Sequence, residues 1–157
     1  MSNFILDSRL RQVEDGSLFF NVLTVDLGPT TSNSARISIE VGANDCEFVL
    51  DVTAPLTTSI AFWEGHTSVV AGTTFPNLNM RRSSATTNAS VVKEGATVAG
   101  GTKLTDFTGT DGKFPRGTPI NGEVGIILEA NTDYSFLVGH VQERNAIYSI
   151  SWFLREV

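Results

Sequence analysis

Two histidines, one cysteine and one pair of adjacent arginines are the side chains of this sequence best suited to chemistry, and none stands in a spacing that a reaction demands. His66 follows Gly65 and His140 follows Gly139, so both read as exposed, titratable residues at strand ends. Acid–base work needs a positioned partner, and neither has one nearby in the chain. No H-E-x-x-H helix, G-x-S-x-G elbow or phosphate-binding glycine loop is present. Asp106, Thr108, Thr110, Asp111 and Gly112 place oxygen ligands in one stretch, but not in the alternation of a helix–loop–helix calcium site. Glu64, Glu94, Glu123 and Glu129 would have to converge through folding to act as a glycosidase pair, and their spacing does not ask for it. The single Cys46 rules out an intrachain disulfide and a cysteine-based zinc site, and reads as a small core side chain. The expectation is a protein with no catalytic residues, no cofactor and no metal.

The remaining candidates are of the kind that make interfaces. Arg81-Arg82, followed by Ser83-Ser84, is a pair of planar donors suited to a carboxylate or a partner's backbone, or else a solvated loop. Phe75, Phe107 and Phe114 sit in turn-like surroundings, either tucked beneath their loops or held for a partner. Phe4, Ile5 and Leu6 form an apolar cluster in an otherwise charged N-terminal stretch. All eight are candidates for a partner or oligomer interface.

The elements that must position these residues are strands. With 157 residues, 41% of them hydrophobic and 18% charged, the chain is long enough for one core, and its polarity comes from Ser, Thr and Asn. Thr favours strands and Ser and Asn favour turns. The net charge of −6 disfavours a nucleic-acid partner, and no apolar run is long enough to cross a bilayer as a helix. The N-terminus lacks the basic start and apolar run of a secretory signal, so synthesis in a cytoplasm is expected.

Residues 1–16 read as an arm and 17–157 as a single β-sandwich domain. Ser17 to Leu27 is a strand with apolar residues on both faces, which predicts cover on both sides. Ile37, Ile39 and Val41 alternate inward, Gly42-Ala43-Asn44-Asp45 turns, and Phe48, Leu50 and Val52 return, which predicts a hairpin. Ile60 and Phe62 share a face that Ser59, Ala61 and Trp63 do not. Glu64-Gly65-His66-Thr67 with Ala71-Gly72-Thr73 is echoed by Glu94-Gly95-Ala96-Thr97 with Gly100-Gly101-Thr102, which reads as one hairpin used twice. Gly95 to Pro119 shows no clear periodicity, the mark of a functional or mobile segment. Val124, Ile126 and Leu128, then Tyr134 to Val138, then Tyr148, Ile150, Trp152 and Leu154, complete the strands, with a turn at Asn131-Thr132-Asp133. The sum is an all-β, antiparallel two-sheet sandwich of jelly-roll type.

Ser59 to Gly65, the doubled Glu-Gly-x-Thr phrase, Met80-Arg81-Arg82-Ser83-Ser84, Leu128 to Phe136 and Ser149-Ile150-Ser151-Trp152-Phe153 together resemble a family of small β-sandwich structural proteins of tailed bacteriophages. The order of that family's motifs is kept from Ser59 to Val157, while its glycine-rich loop is replaced by Thr105 to Gly117. The resemblance implies a virion component of the capsid decoration, or cement, type. Such a protein is made in the host cytoplasm, binds the major capsid protein on the outer face of the shell and often forms a homotrimer. The alternative that it leaves open is a tail or fibre module binding a host surface glycan. Neither a nucleic-acid nor a membrane partner is expected.

Overall fold

The computed structural model describes residues 15–31, 33–53, 56–81, 83–109 and 126–157. Thirteen strands are formed among the described residues: β1 (Phe19–Asp26), β2 (Ser34–Glu40), β3 (Cys46–Thr53), β4 (Thr58–Glu64), β5 (Thr67–Val70), β6 (Thr73–Phe75), β7 (Leu78–Asn79), β8 (Val91–Glu94), β9 (Thr97–Ala99), β10 (Thr102–Gly109), β11 (Ile126–Leu128), β12 (Asp133–His140) and β13 (Ile147–Glu156). Alternation fixes which face of each strand is buried, because successive side chains leave opposite sides of the pleat. In β13, Tyr148, Ile150, Trp152 and Leu154 are wholly buried while Ile147 and Ser149 are exposed.

The strands form a five-stranded sheet, β11-β3-β13-β1-β7, and a six-stranded sheet, β10-β4-β12-β2-β8-β6, with β5 and β9 in a separate two-stranded ribbon. Phe48 of the first sheet stacks on Phe136 of the second at 5.2 Å, and Phe136 stacks on Phe62 at 4.5 Å. One hydrophobic cluster therefore runs between the sheets. Offset aromatic pairs of this kind add roughly 1 kcal/mol each beyond the area they bury.

The pairing of the long strands defines a jelly roll. β1 pairs with β13, β2 with β12, β3 with β11 and β4 with β10, all antiparallel, so the chain is a long double strand rolled on itself. Rolling places consecutive strands in opposite sheets, and this overturns the expected Ile37–Val52 hairpin. β2 belongs to the six-stranded sheet and β3 to the five-stranded one. The turn at Gly42 to Asp45 is a corner between layers, pinned by the bonds Asn131 N–H to Gly42 O (2.9 Å) and Val41 N–H to Thr132 O (3.2 Å). Asn131, at φ 56°, occupies the left-handed region that a tight turn needs and that Asn tolerates better than most residues.

Between β4 and β10 lies the doubled Glu-Gly-x-Thr phrase, and it does not form two hairpins. β5 pairs with β9, so the copies pair with each other. Each copy then sends its next strand to the other copy's side: β6 pairs with β8 through Thr73 opposite Glu94, and β10 pairs with β4 through Thr102 opposite Glu64. The six-stranded sheet is thereby symmetric about its central β12–β2 pair, whose register sets Ser38 opposite Ser135. Gly65 and Gly95 take φ of 68° and 74° at equivalent corners. Their N–H groups donate to Asp133 O and Arg36 O, which themselves precede the equivalent residues Tyr134 and Ile37. The local two-fold is broken by a bulge at Val69 in the ribbon and another at Leu104 in β10.

Two further expectations change. The second face of β1 is not covered along its length, since Val22 is 41% exposed and Thr24 is exposed as well. Strands β9 and β10 lie within the stretch from Gly95 that shows no periodicity, because Thr and Gly conceal the alternation. The expected contribution of Val124 to a strand lies outside the described residues.

Candidate interaction surfaces

The histidines are not where the sequence placed them. His66 and His140 are both buried. His140 donates from Nε2 to the Thr30 carbonyl at 2.9 Å and meets Tyr148 edge-on at 6.1 Å, so it braces the loop after β1. His66 and Ala96, equivalent residues of the two copies, are both buried, and neither ring nitrogen of His66 has a hydrogen-bond partner among the described residues. Strand-end glycines suggested exposure, but Gly101 packs against His66, and residues 95–98 border one hollow together with Arg36 and Leu137 of the six-stranded sheet. The burial of Ser38 and Ser135, which alternate with core residues and so face outward, shows that this face is covered. Burial raises the Asp133 carboxyl above the usual range, with Glu40 pushing the same way and His66 and Lys93 opposing. Cys46 is buried and unpaired with another cysteine, and burial is the main cause that raises its thiol.

Of the interface candidates, Phe75 is half-buried against the core and sits edge-on to Trp152 at 5.8 Å, the tucked alternative. Arg81 is exposed on the loop after β7, its N–H held by Asn79 Oδ1 at 2.8 Å. Phe107 falls on β10 opposite Ile60, but its side chain is outside the described residues. Phe4, Ile5, Leu6, Arg82 and Phe114 lie outside them as well. Among the described residues, therefore, no two of these candidates are brought together. Asp106 and Thr108 of the oxygen-rich stretch are on β10, where Asp106 is in an ion pair with Lys103, while Thr110, Asp111 and Gly112 lie outside the described residues. Among the described residues no three of His, Cys, Asp and Glu converge as metal ligands would.

Three surfaces stand out that the sequence did not assign. The ribbon carries exposed Val69 (63%) and Val70 (56%), and residues 65–75 and 95–102 contain no Asp, Glu, Lys or Arg. A second lies on the outer face of the five-stranded sheet, where cross-strand register aligns exposed Leu78, half-buried Phe20 and Phe153, and buried Val49 in one row. Phe20 and Phe153 pack at 5.1 Å. The third is a polar hollow of about 190 Å³ on the six-stranded sheet, lined by Thr31, Asn33, Ser34, Ser59, Asp106 and Leu137 among others. The pairing that builds the first two was the missing signal, since a row across a sheet is invisible until partners are known.

No protein-family model matches the chain, and no curated protein matches it. The fold is that of an all-β jelly-roll sandwich, and among the described residues no helix is long and apolar enough to cross a membrane.

Proposed function

We infer that the protein is a non-enzymatic structural component of a tailed-phage virion, a decoration protein that binds the outer surface of the major capsid shell and stabilises it. The observation that carries the reading is the ribbon, a charge-free strap with exposed Val69 and Val70, joined at both ends to the six-stranded sheet of a molecule of net charge −6. Two acidic proteins, or many copies of one, approach with least repulsion where charge is absent, and exposed valines there offer area to bury. The jelly roll is a common architecture of viral shells and of lectins. The acidity of the chain favours the outside of a shell over the side that faces packaged DNA. Arg81 and Arg82, the N-terminal residues, Phe107 on β10 and Phe114 are the further anchors of this proposal, with a homotrimer as the binding unit.

Purified protein is mixed with undecorated heads of the encoding phage and occupancy is read by co-sedimentation. The reading expects saturable binding that Val69→Glu with Val70→Glu lowers at least tenfold. The same double variant binding as well as wild type removes the ribbon from the interface. A second reading, a tail or fibre module for a host glycan, draws on the polar hollow, whose hydroxyl and amide lining suits sugar hydroxyls. Binding to host polysaccharide without binding to heads selects it, and Asp106→Ala then lowers that binding.

A further inference from the structure

We propose that the hollow beside Arg36 and Ala96, at one end of the ribbon, binds the carboxylate of an acidic sugar. The hollow measures about 310 Å³, at the small end of the range for ligand sites, and is lined by Ser34, Arg36, Thr97, Val98 and Leu137 among others. Arg36 is half-buried, and its Nη1 donates to the Oγ of wholly buried Ser135 at 2.9 Å. That bond engages one of the five guanidinium donors and orients the group. Among the described residues Arg36 has no ion pair, and no carboxylate lines the hollow. Burial lowers the pKa of the guanidinium, as expected of a cation that lacks an opposite charge to offset its desolvation.

The local two-fold of the six-stranded sheet shows what is missing there. The rotation that exchanges Ser38 with Ser135 also exchanges Arg36 with Asp133 and Ala96 with His66. At one corner, burial raises the Asp133 carboxyl and the buried imidazole of His66 opposes that rise, so an acid on the strand meets a base from the repeat. At the other corner the base is on the strand, and Ala96 brings no acid to meet it. The methyl of Ala96 also fills less space than an imidazole, and the hollow lies beside it. A carboxylate from outside supplies the missing charge, since a guanidinium grips that group through parallel N–H bonds. The rest of the lining fits a sugar. Exposed Ser34 and Thr97 offer hydroxyls, and half-buried Val98 and Leu137 offer apolar surface to the C–H face of a ring. Residues 95–102 carry no charge that would repel an acid. The proposal requires neither head binding nor binding at the adjoining polar hollow, with which this one shares Ser34 and Leu137.

The test is titration of the isotope-labelled full chain with sodium glucuronate, followed by amide and methyl NMR, with glucose and sodium acetate as separate arms. Glucuronate is expected to shift the amides of Gly95, Ala96 and Thr97 and the methyls of Val98 and Leu137 saturably, and to bind more tightly than glucose or acetate. Arg36→Gln is expected to weaken that binding about tenfold, the loss of one charge-assisted pair. Ala96→His, which puts an imidazole where the other copy has one, is expected to close the hollow and abolish the shifts. The core methyls of Ile37 and Val138 report whether each variant is folded. Glucose or acetate binding as tightly as glucuronate overturns the proposal, and so does the absence of saturable shifts in the folded wild type or undiminished binding by folded Arg36→Gln.

Discussion

Burial sets the ionisation of Cys46 and Asp133, and both consequences are measurable. The thiol is held above its ordinary value, so it stays neutral up to alkaline pH and is shielded as well. A thiol reagent at neutral pH is expected to leave the native protein unlabelled and to label it fully once denatured; rapid labelling of the native form contradicts the burial. Asp133 is also raised, chiefly by desolvation, which means that the folded state holds this proton more tightly than the unfolded chain. Its contribution to stability is complete below the ordinary Asp range and is lost as pH rises through the folded value. Asp133→Asn is therefore expected to be the more stable protein at neutral pH, with the advantage shrinking as pH falls below about 4, where both side chains are neutral. Denaturant midpoints measured across pH check this. The core was legible at this scale: Ile60, Phe62, Tyr148, Ile150 and Trp152 are buried as their alternation implied. His66 and His140 were not, because the strands that enclose them are remote in sequence.

At the scale of elements, the alternation gave faces but not partners. A strand with one apolar side fits equally a hairpin within a sheet or a corner between sheets, and the roll chose the corner for β2 and β3. The repeat was likewise visible as a phrase, while its pairing across about thirty residues was not, since Ala71-Gly72 imitates a hairpin turn. Those glycines serve close approach instead. A Cβ on Gly72 would collide with the Glu94 carbonyl and stand 2.7 Å from the Ala96 nitrogen, and one on Gly101 would stand 2.9 Å from the Glu64 carbonyl. Each glycine thus packs on the corner of the other copy. Gly72→Ala and Gly101→Ala are each expected to cost about 1–3 kcal/mol by forcing the ribbon off the sheet. Because both open the same ribbon, the double variant should lose less than the sum. Chemical denaturation of the two singles and the double measures the coupling, and strict additivity argues against the shared corner.

Over the whole molecule, the sandwich type followed from strand count and spacing. Interfaces could not be assigned from the sequence, for they depend on which side chains the roll leaves outside. Anchoring by uncharged valines implies weak dependence on salt, whereas contacts made by Arg81 and Arg82 weaken as the screening length falls to about 3 Å at 1 M. Head occupancy is expected to persist from about 0.1 to 1 M salt in wild type, with Arg81→Ala chiefly slowing association. Light scattering of the free protein is expected to give a trimer; a monomer at all concentrations, alone and on the particle, contradicts that unit. The most direct measurement of the central claim is cryo-microscopy of undecorated heads incubated with the protein. Density for the jelly roll on the outer surface, with the ribbon at Val69 and Val70 against capsid subunits, is the predicted result. Heads that acquire no such density at saturating protein, or density on the DNA side of the shell, would contradict it.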